Sequence, residues 1–494
     1  MEYRSTRDAG LHLTAAQAIA QGLSRDGGLF LPASIPALPE GAVEKMTGMT
    51  YPQRAAYIMG MYLDDFSAQE LADICAKAYG TNFDTPLTAP VTVLDDKTSF
   101  LELWHGPTCA FKDIALQILP YLLTASLRKN GEEKQVCILV ATSGDTGKAA
   151  LEGFRDVGRT KIMVFYPRDG VSDIQKLQMT SQKGENVGVC AVQGNFDDAQ
   201  SGVKAIFSDA ALRERLAARG WFLSSANSIN WGRLLPQVVY YISAYCDLVS
   251  AGRIKNGAPV HFCVPTGNFG DILAGYYAKR MGLPIGRLLC ASNCNDVLTE
   301  FFHTGVYNRS RPFHTTISPS MDILISSNLE RLLYELSGGD DRLVSGYMRE
   351  LAASGRYAVT PALKEKLDGL FYAGSCSDAQ TKEEIGRVFR DKAYLMDTHT
   401  AVGSYVLRTY RTQTGDDTPA VVVSTASPYK FCDSVLDALG DRSDAQGIAL
   451  LDRLEKVSGT QAPAPLDALR GAEPRFTGSV EKADMLRVVE DFLK

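Results

Sequence analysis

The sequence of 494 residues contains no apolar run as long as a membrane-spanning helix requires. Apolar runs such as VCILVA at 136–141 and AVVV at 420–423 have the length of β-strands. No five consecutive residues are Lys or Arg, and the net charge is −6, so we expect no nucleic-acid partner and no membrane partner. The first residues, MEYRSTRDAG, lead into no apolar signal segment, which predicts a cytoplasmic protein.

The ten cysteines include no CxxC pair. Cys290 and Cys294 are the closest two, at CxxxC spacing, and Cys290 lies in the apolar run LLC. Such scattered cysteines predict reduced and mostly buried thiols rather than a disulfide framework or a metal site. We therefore expect no bound metal.

Several apolar runs are followed by a loop and then by a helical pattern. The clearest are QVCILVATSGDTGKAALEGF (135–154), KIMVFYP (161–167), VHFCVPTGNFGDILAGYYAKR (260–280) and RLLCASN (287–293). Strands that are apolar throughout, interleaved with helices, are typical of parallel sheets buried on both faces. The sequence predicts an α/β fold, with ligands at the carboxyl ends of the strands.

Two other regions differ from this pattern. The first ninety residues contain the proline-rich LFLPASIPALPE (29–40) and helical stretches, and they predict a separate N-terminal element. The polar, helix-rich stretch 325–395 predicts an insertion in the main domain.

The segment PTGNFGD (265–271) follows a strand and opens a helix. Gly267 and Gly270 allow backbone N–H groups to approach an anion at the helix N-terminus, and phosphate suits such a site best. The spacing is not that of the dinucleotide fingerprint GxGxxG. An ordinary turn between strand and helix explains the same residues.

The segment ATSGDTGKAA (141–150) also joins a strand to a helix. It is not a nucleotide-binding P-loop, because two residues rather than four separate Gly144 from Gly147, and Ala149 replaces the Ser or Thr that holds magnesium. The hydroxyls of Ser143 and Thr146, with the backbone amides, suit a carboxylate or a second phosphate, whereas a plain helix cap is the alternative.

Two further residues complete a candidate site. Lys112 lies where the turn WHGPTCAF enters an apolar helix, a position at which burial and the helix dipole both favour the free amine. In STASPYKF (424–431), Ser424 or Thr425 can hydrogen-bond a ring nitrogen or cap the next helix. A lysine amine, a phosphate site, a carboxylate site and such a hydroxyl together fit pyridoxal phosphate that holds an amino acid.

The motif HGPTCAFKD (105–113) resembles the cofactor-lysine motif of threonine synthases, which belong to the tryptophan-synthase-like group of pyridoxal phosphate enzymes, fold type II. The resemblance extends in the family's order through most of the chain, including SRDGGLFLP (24–32), NSINWGRLLPQ (227–237), PSMDILISSNLERLL (319–333) and DTHTAVG (397–403). In STASPYKF, Ser427 and Tyr429 replace the His and Ala of some branches, which leaves the choice between Ser424 and Thr425 open.

The resemblance implies a role for each matching residue. Lys112 is expected to bind the cofactor covalently and to move protons, and Thr425 to face the pyridine nitrogen. The residues expected to hold the cofactor phosphate are Gly267, Asn268, Phe269 and Gly270. The residues expected to hold the substrate carboxylate are Ser143, Gly144, Asp145 and Thr146. For the substrate phosphate the expected residues are Asn230 and Arg233, for which a helix N-terminus with a surface arginine is the alternative; His399 either lines the site or is a satisfied core histidine.

The resemblance also implies how the chain is divided. We expect a fold of two domains with parallel sheets, like the tryptophan synthase β-subunit, in addition to the N-terminal element at 1–90. The larger, cofactor-binding domain is expected to comprise 91–130 and 230–494. The smaller domain, 131–229, is expected to carry the SGDTG loop.

The implied enzyme is a lyase that converts O-phospho-L-homoserine and water to L-threonine and phosphate by γ-elimination and β-addition. A phospho-lyase of the same fold that releases 2-oxobutyrate is the nearest alternative, because both share their early steps. A serine or threonine dehydratase is less expected, because its substrate carries no phosphate and it would not need a second phosphate site. A non-catalytic binding protein of this fold does not need an intact Lys112.

Overall fold

The structure is a computed structural model, and it describes residues 1–142, 144–168, 171–442 and 444–494. Its strands in chain order are β1 (Tyr3–Ser5), β2 (Asp8–Leu13), β3 (Phe30–Pro32), β4 (Val91–Val93), β5 (Thr98–Glu102), β6 (Gln135–Ala141), β7 (Thr160–Pro167), β8 (Val187–Val192), β9 (Trp221–Ser224), β10 (Val260–Pro265), β11 (Ile285–Ser292), β12 (Val306–Asn308), β13 (Arg356–Ala358), β14 (Phe371–Ser375), β15 (Ala420–Ser424) and β16 (Ser479–Val480).

The α-helices in chain order are α1 (Ala15–Gln21), α2 (Ala42–Thr47), α3 (Tyr51–Gly60), α4 (Ala68–Tyr79), α5 (Lys112–Leu116), α6 (Leu119–Lys129), α7 (Asp145–Phe154), α8 (Asp173–Thr180), α9 (Phe196–Ser208), α10 (Ala210–Ala218), α11 (Trp231–Ser250), α12 (Gly270–Arg280), α13 (Val297–Thr304), α14 (Leu329–Leu336), α15 (Asp341–Ser354), α16 (Pro361–Leu370), α17 (Asp378–Lys392), α18 (Thr398–Thr414), α19 (Cys432–Ala438), α20 (Ala449–Ser458), α21 (Ala464–Asp467) and α22 (Met485–Phe492). Short 3-10 helices lie at Pro319–Met321, Pro428–Lys430, Ala468–Gly471 and Lys482–Asp484. No helix within the described ranges is long and apolar enough to cross a bilayer.

The N-terminal region has a sheet of its own, in which β1 pairs antiparallel with β2 and β3. Thr14 caps α1 through a reciprocal pair of hydrogen bonds with Gln17. The rings of Tyr3 and Tyr62 pack against Trp231, each at 5.7 Å between ring centres. Residues 1–79 therefore share one hydrophobic core with α11 rather than forming a core of their own.

The larger sheet has six strands in the order β14-β11-β10-β15-β5-β4. All neighbouring strands are parallel except β4, which pairs antiparallel with β5 at one edge. Both faces of the central strands are buried, in agreement with their continuous apolar sequence. The predicted α/β class with parallel sheets is confirmed.

The second sheet has five parallel strands in the order β16-β8-β7-β6-β9. Its edge strand β16 comes from the end of the chain, where Ser479 pairs with Ala191. The buried side chains of Met485 and Val489 in α22 pack on the same region. The expectation that all of 230–494 belongs with the larger sheet is therefore wrong for the last residues.

The stretch 325–395 is not an insertion. Its strand β14 is the edge strand of the larger sheet and pairs with β11 from Leu288–Phe371 to Ser292–Ser375. This strand has only five residues, and polar, helical segments flank it. The sequence pattern therefore does not reveal it.

The carboxyl ends of β10, β15 and β5 lie side by side because these strands are neighbours in the larger sheet. The loop 266–269 follows β10, Thr425 follows β15, and the turn that leads to Lys112 follows β5. In the second sheet, the turn before α7 follows β6. These four segments carry the residues predicted for the cofactor and the substrate carboxylate, as expected for an α/β sheet, whereas Asn230 and Arg233 lie at the start of α11.

Candidate active site

Lys112 is the first residue of α5. Its Nζ lies 3.4 Å from the Ser320 hydroxyl oxygen and 4.8 Å from the centre of the Phe111 ring. Burial lowers the pKa of Lys112 to about 8, although the nearby charge of Asp145 opposes the shift. A lysine with this pKa supplies free amine near neutral pH, as nucleophilic and proton-transfer chemistry requires.

The turn before Lys112 is fixed by the buried side chain of Asp113. Its carboxylate accepts hydrogen bonds from the Thr108 N–H at 2.8 Å and the Thr108 hydroxyl at 2.7 Å. A Cβ on Gly106 would lie 2.5 Å from an oxygen of this carboxylate, so the turn requires glycine there. The HGPT sequence thus sets the direction in which α5 starts.

The loop 266–269 ends at Phe269, which caps α12 with a left-handed backbone at φ 63°. A non-glycine residue in this conformation is strained, and such strain clusters at functional sites. The Phe269 ring is buried against Phe302 and Phe371 and holds the backbone in place. The backbone N–H groups of Gly267, Asn268, Phe269 and Gly270 donate no hydrogen bond to the backbone of any described residue.

Gly267 is required by a close contact. A Cβ there would lie 2.8 Å from the carbonyl oxygen of Ser320, which is backbone and cannot move aside easily. The carbonyl of Asn268 accepts hydrogen bonds from the Asn328 N–H and side-chain amide, both at 3.1 Å. The carbonyls of this loop therefore point into protein contacts, and its N–H groups remain available to an anion.

The turn before α7 contains Gly144 at φ 149°, where a Cβ would lie 2.6 Å from the Gln175 side chain. The Thr142 hydroxyl accepts hydrogen bonds from the N–H groups of Gly144 and Gly147, both at 3.0 Å. Asp145 and Thr146 lie in the first turn of the helix, and no described residue accepts a hydrogen bond from their N–H groups. Ser143 lies outside the described residues.

Ser424 and Thr425 are distinguished by their contacts. The Ser424 hydroxyl oxygen accepts hydrogen bonds from the Trp104 indole N–H and the Thr400 hydroxyl, both at 3.1 Å. The Thr425 hydroxyl makes no hydrogen bond to any residue that the structure describes, while its backbone carbonyl accepts from the Phe111 N–H at 2.8 Å. Thr425 is therefore the hydroxyl left free beside the Lys112 turn.

Arg233 is a buried cation in α11, not the surface arginine of the alternative interpretation. Its Nη1 donates to the Ala226 carbonyl at 2.8 Å, and its Nε has no partner among the described residues. Burial lowers the pKa of Arg233 to about 10, and its charge in turn contributes to the lowered pKa of Lys112. Burial is the only cause of the pKa shift of Arg233, and no carboxylate of the described residues acts on it. A buried guanidinium without an anionic partner is suited to an anionic ligand.

Asn230 has a structural role at the start of α11. Its side-chain oxygen accepts from the Gly232 N–H at 2.8 Å, and its side-chain amide donates to the Ile19 carbonyl at 3.0 Å. The residue caps the helix and ties it to α1. Its hydrogen-bonding groups are therefore occupied within the protein.

His399 is buried, and both of its ring nitrogens are hydrogen-bonded. Nδ1 lies 2.8 Å from an Asp397 oxygen, and Nε2 accepts from the Ser320 N–H at 3.1 Å. These bonds fix the tautomer with the proton on Nδ1. His399 is a satisfied core histidine that supports the residue in contact with Lys112.

Comparison with protein families gives three matches along the chain. Residues 2–79 match the model described as threonine synthase N terminus, and residues 400–490 match threonine synthase, C-terminal. Residues 94–426 match the model of pyridoxal-phosphate dependent enzymes. Threonine synthase of Schizosaccharomyces pombe is 38% identical over 473 residues, with 90% of each chain covered, and that of Pseudomonas aeruginosa is 39% identical over 460 residues, covering 92% of this chain and 94% of that protein.

This chain belongs to the threonine synthase family. The structure agrees, since the PLP-bound threonine synthase of Brucella melitensis superposes with a TM-score of 0.89 at 37% identity, covering 100% of this chain and 98% of that one. Yeast threonine synthase gives a TM-score of 0.90 at 35% identity with the same coverage. The human protein threonine synthase-like 1 is 42% identical over 434 residues, but the match spans 86% of this chain and only 58% of that longer protein.

Because the chain belongs to a family of pyridoxal-phosphate-dependent enzymes, its cofactor is pyridoxal phosphate. The residues present fit this group. A loop whose four N–H groups make no hydrogen bond to a described residue suits a phosphate, and glycine at 267 lets this loop pack against the Ser320 carbonyl. Lys112 offers an amine of lowered pKa, and Thr425 offers a free hydroxyl.

Sequence reasoning missed two residues of the candidate site. Ser320 contacts Lys112, and Lys430 forms a buried ion pair with Asp145 at 2.8 Å. Lys430 lies in the motif STASPYKF, between Tyr429 and Phe431. A single lysine between two aromatic residues is the one local feature that could have indicated a buried charge. Its partner is 285 positions earlier in the chain, so no local pattern reveals the pair.

Proposed function

We propose that this protein converts O-phospho-L-homoserine and water to L-threonine and phosphate. The observation that carries the proposal is the presence of two separate anion-binding features near Lys112. One is the row of N–H groups at 267–270, and the other is the buried guanidinium of Arg233. A cofactor phosphate requires one such site, and a phosphorylated substrate requires a second.

In this proposal each site residue has one task. Lys112 holds the cofactor covalently, and the N–H groups of Gly267, Asn268, Phe269 and Gly270 hold its phosphate. The Thr425 hydroxyl faces the pyridine nitrogen, because the Ser424 hydroxyl is already used by Trp104 and Thr400.

The substrate contacts follow from the remaining groups. The turn of Ser143, Gly144, Asp145 and Thr146 binds the α-carboxylate at the N-terminus of α7. Arg233 binds the phosphate of the substrate, and the side chain of Asn230 positions Arg233 by capping α11. The substrate thus lies across the junction of the two sheets, with its reacting carbons beside Lys112.

When bound, pyridoxal phosphate serves as an electron sink for carbanions next to the amino group. The protein supplies the proton transfers. The Lys112 amine would take the α-proton and give it up before it takes a β-proton, and it would return protons to Cγ, which becomes the methyl group, and to Cα. Departure of phosphate from Cγ is assisted by the positive charge of Arg233, and water then adds at Cβ.

We further propose that the sheets mark two domains that close on the substrate. The larger domain contains the six-stranded sheet, and the smaller contains the five-stranded sheet and the α7 turn. Closure excludes bulk water, but not the water molecule that adds at Cβ, while reactive unsaturated carbons are present, and so prevents loss of the substrate as 2-oxobutyrate. The proposal includes the cytoplasmic location that the sequence predicts.

The test is product identification. Purified protein loaded with pyridoxal phosphate is incubated with O-phospho-L-homoserine, and the products are identified by mass spectrometry beside the variant Lys112→Ala. We expect L-threonine and phosphate from the unchanged protein and neither from the variant. Formation of 2-oxobutyrate as the main product would assign the chain to phospho-lyase chemistry instead, and no turnover at all would favour a binding protein.

A further inference from the structure

Lys430 and Asp145 join the two sheets through a buried ion pair. Lys430 ends the 3-10 helix Pro428–Lys430 after β15 of the larger sheet, and Asp145 begins α7 after β6 of the second sheet. The Nζ and Oδ1 atoms lie 2.8 Å apart, and the two side chains are 0% and 4% exposed. The pair therefore lies within the protein, at the turn that the proposed function assigns to the substrate carboxylate.

Neighbouring groups hold both members of the pair in place. Lys430 Nζ also donates to the Thr108 carbonyl at 2.8 Å, in the turn that precedes Lys112. The Gln175 side-chain amide donates to the same Asp145 oxygen at 2.9 Å, and the Ser320 hydroxyl lies 3.4 Å from the other oxygen. Burial alone would raise the pKa of Asp145, but the charges of Lys430 and Lys112 hold it below its usual range. Asp145 is thus ionised.

An ionised Asp145 poses a problem for the proposed substrate. The N-terminus of a helix attracts anions, but a carboxylate in its first turn repels a second carboxylate at close range. A buried ion pair also gains little net stability, because desolvation offsets the attraction between the charges. The position of the pair at a ligand site is therefore better explained by binding than by folding.

The other cations of the site do not replace Lys430. Lys148 is paired with Glu152 at 3.1 Å, and Arg233 contacts the Ala226 carbonyl instead of Asp145. Lys112 is close enough for its charge to act on Asp145, but its amine is needed for the reaction. Without Lys430, the Asp145 charge would act on Lys112 alone and raise its pKa.

We propose that Lys430 is a specificity-determining residue: it neutralises Asp145 so that the N-terminus of α7 accepts the carboxylate of the substrate. This inference rests on the proposed function. Lys430 is a positioning residue, because it acts through Asp145. By neutralising Asp145 it permits carboxylate binding and favours the free amine of Lys112.

The test is a charge-rescue series in the cofactor-loaded protein. The variants are Lys430→Met, Asp145→Asn and the double variant, with Lys382→Met as a matched control because Lys382 is paired with Asp437 at 2.7 Å on the surface. The probe is 2-amino-5-phosphonopentanoate, which has the carboxylate, amine and phosphonate of the substrate class but no leaving group. Its binding is followed by the absorbance of the cofactor, and its carboxamide is the comparison probe.

We expect Lys430→Met to weaken binding of the carboxylate probe by roughly tenfold or more, since it leaves Asp145 buried and unpaired. The double variant removes that charge, and we expect its affinity to return to within about threefold of Asp145→Asn alone. The preference for carboxylate over carboxamide should fall in Lys430→Met and stay unchanged in Lys382→Met. In the cofactor-free protein, the pH at which Lys112 deprotonates should rise in Lys430→Met, because the Asp145 charge then acts on Lys112 alone.

Undiminished binding in Lys430→Met, or a double variant as weak as Lys430→Met, would overturn the inference. The double variant also separates binding from folding, because it contains no unpaired buried charge. If Lys430→Met weakens probe binding as expected but the unchanged protein releases 2-oxobutyrate, the proposed function fails and the inference stands. If the unchanged protein does not bind the probe, both fail.

Discussion

The amine of Lys112 lies 3.4 Å from the hydroxyl of Ser320, a residue 208 positions later in the chain. The same serine donates its N–H to His399, and its carbonyl lies 2.8 Å from where a Cβ on Gly267 would be. One residue thus connects the lysine, the buried histidine and the glycine loop. The relative placement of amine and phosphate site depends on the segment around Ser320.

The first prediction concerns the pH dependence of cofactor capture. Because burial lowers the pKa of Lys112 to about 8, its ammonium form predominates below that pH and its reactive amine above it. The rate at which cofactor-free protein forms the lysine-bound cofactor should therefore rise with pH through about 8 and level off above it. Stopped-flow absorbance measures this rate, with Lys112→Ala as the blank. A midpoint near the ordinary lysine value of 10.5 would contradict the burial argument.

The second prediction concerns Ser320. The ionised Asp145 can only accept hydrogen bonds, so the Ser320 hydroxyl donates to it and offers its oxygen to Lys112. That oxygen stabilises the ammonium form, and Ser320→Ala should shift the midpoint of cofactor capture to lower pH. Ser320→Thr keeps the hydroxyl and should preserve the midpoint. A shift to higher pH in Ser320→Ala would show that the hydroxyl faces Lys112 with its proton instead.

The third prediction concerns Gly267. A methyl group at this position would press against the Ser320 carbonyl, and displacement of the loop should weaken cofactor binding in Gly267→Ala by roughly tenfold or more. Gly471→Ala is the control, because a Cβ there meets no atom within 4 Å. Equilibrium titration with pyridoxal phosphate gives both dissociation constants. Equal values for the two variants would remove the proposed role of the loop.

The fourth prediction concerns Arg233, whose replacement should affect stability and activity in opposite directions. Arg233→Met removes a buried charge without an anionic partner, and this gain offsets the loss of the hydrogen bond to the Ala226 carbonyl, so the cofactor-free protein should unfold at the same or a higher temperature. The KM for O-phospho-L-homoserine should rise roughly 10- to 100-fold, because a charged hydrogen-bonding partner of the phosphate is lost.

Arg331→Met is the matched control for Arg233→Met. Arg331 is equally buried, but its guanidinium donates to the carbonyls of Phe30 at 2.8 Å and Ile229 at 2.5 Å. Its replacement leaves those carbonyls unpaired and should lower the unfolding temperature. If Arg233→Met behaves like Arg331→Met and leaves KM unchanged, Arg233 is a structural residue.

The fifth prediction separates Ser424 from Thr425. Thr425→Ala should change the absorbance of the bound cofactor and lower kcat by about three- to tenfold, the effect of one hydrogen bond, and Thr425→Ser should restore both. In Ser424→Ala the bonds from Trp104 and Thr400 are lost, and the main effect should be on the unfolding temperature. If only Ser424→Ala alters the absorbance of the bound cofactor, Ser424 rather than Thr425 faces the pyridine nitrogen.

The sequence identifies those parts of the site that depend on neighbouring residues in the chain. The loop at 267–270 and the turn at 144–146 are recognisable because each lies between an apolar strand and a helix and contains the glycines that its backbone requires. Lys112 stands out for the same reason, as the first residue of an apolar helix.

The features that the sequence does not reveal depend on contacts between distant residues. The Lys430 and Asp145 pair, the contact of Ser320 with Lys112, and the pairing of β16 with β8 each join segments more than 200 residues apart. Strand β14 is missed for another reason, since five residues within a helical region carry too little periodicity to be detected. All four features are set by tertiary contacts rather than by the local sequence.

The most direct test of the account is the fate of oxygen when O-phospho-L-homoserine is turned over in water enriched in oxygen-18. Elimination of phosphate from Cγ followed by addition of water at Cβ places the label in the hydroxyl of L-threonine and leaves the released phosphate unlabelled. Mass spectrometry of both products reads the result. Label in the phosphate would mean attack of water at phosphorus, and would contradict the proposed roles of Lys112 and Arg233.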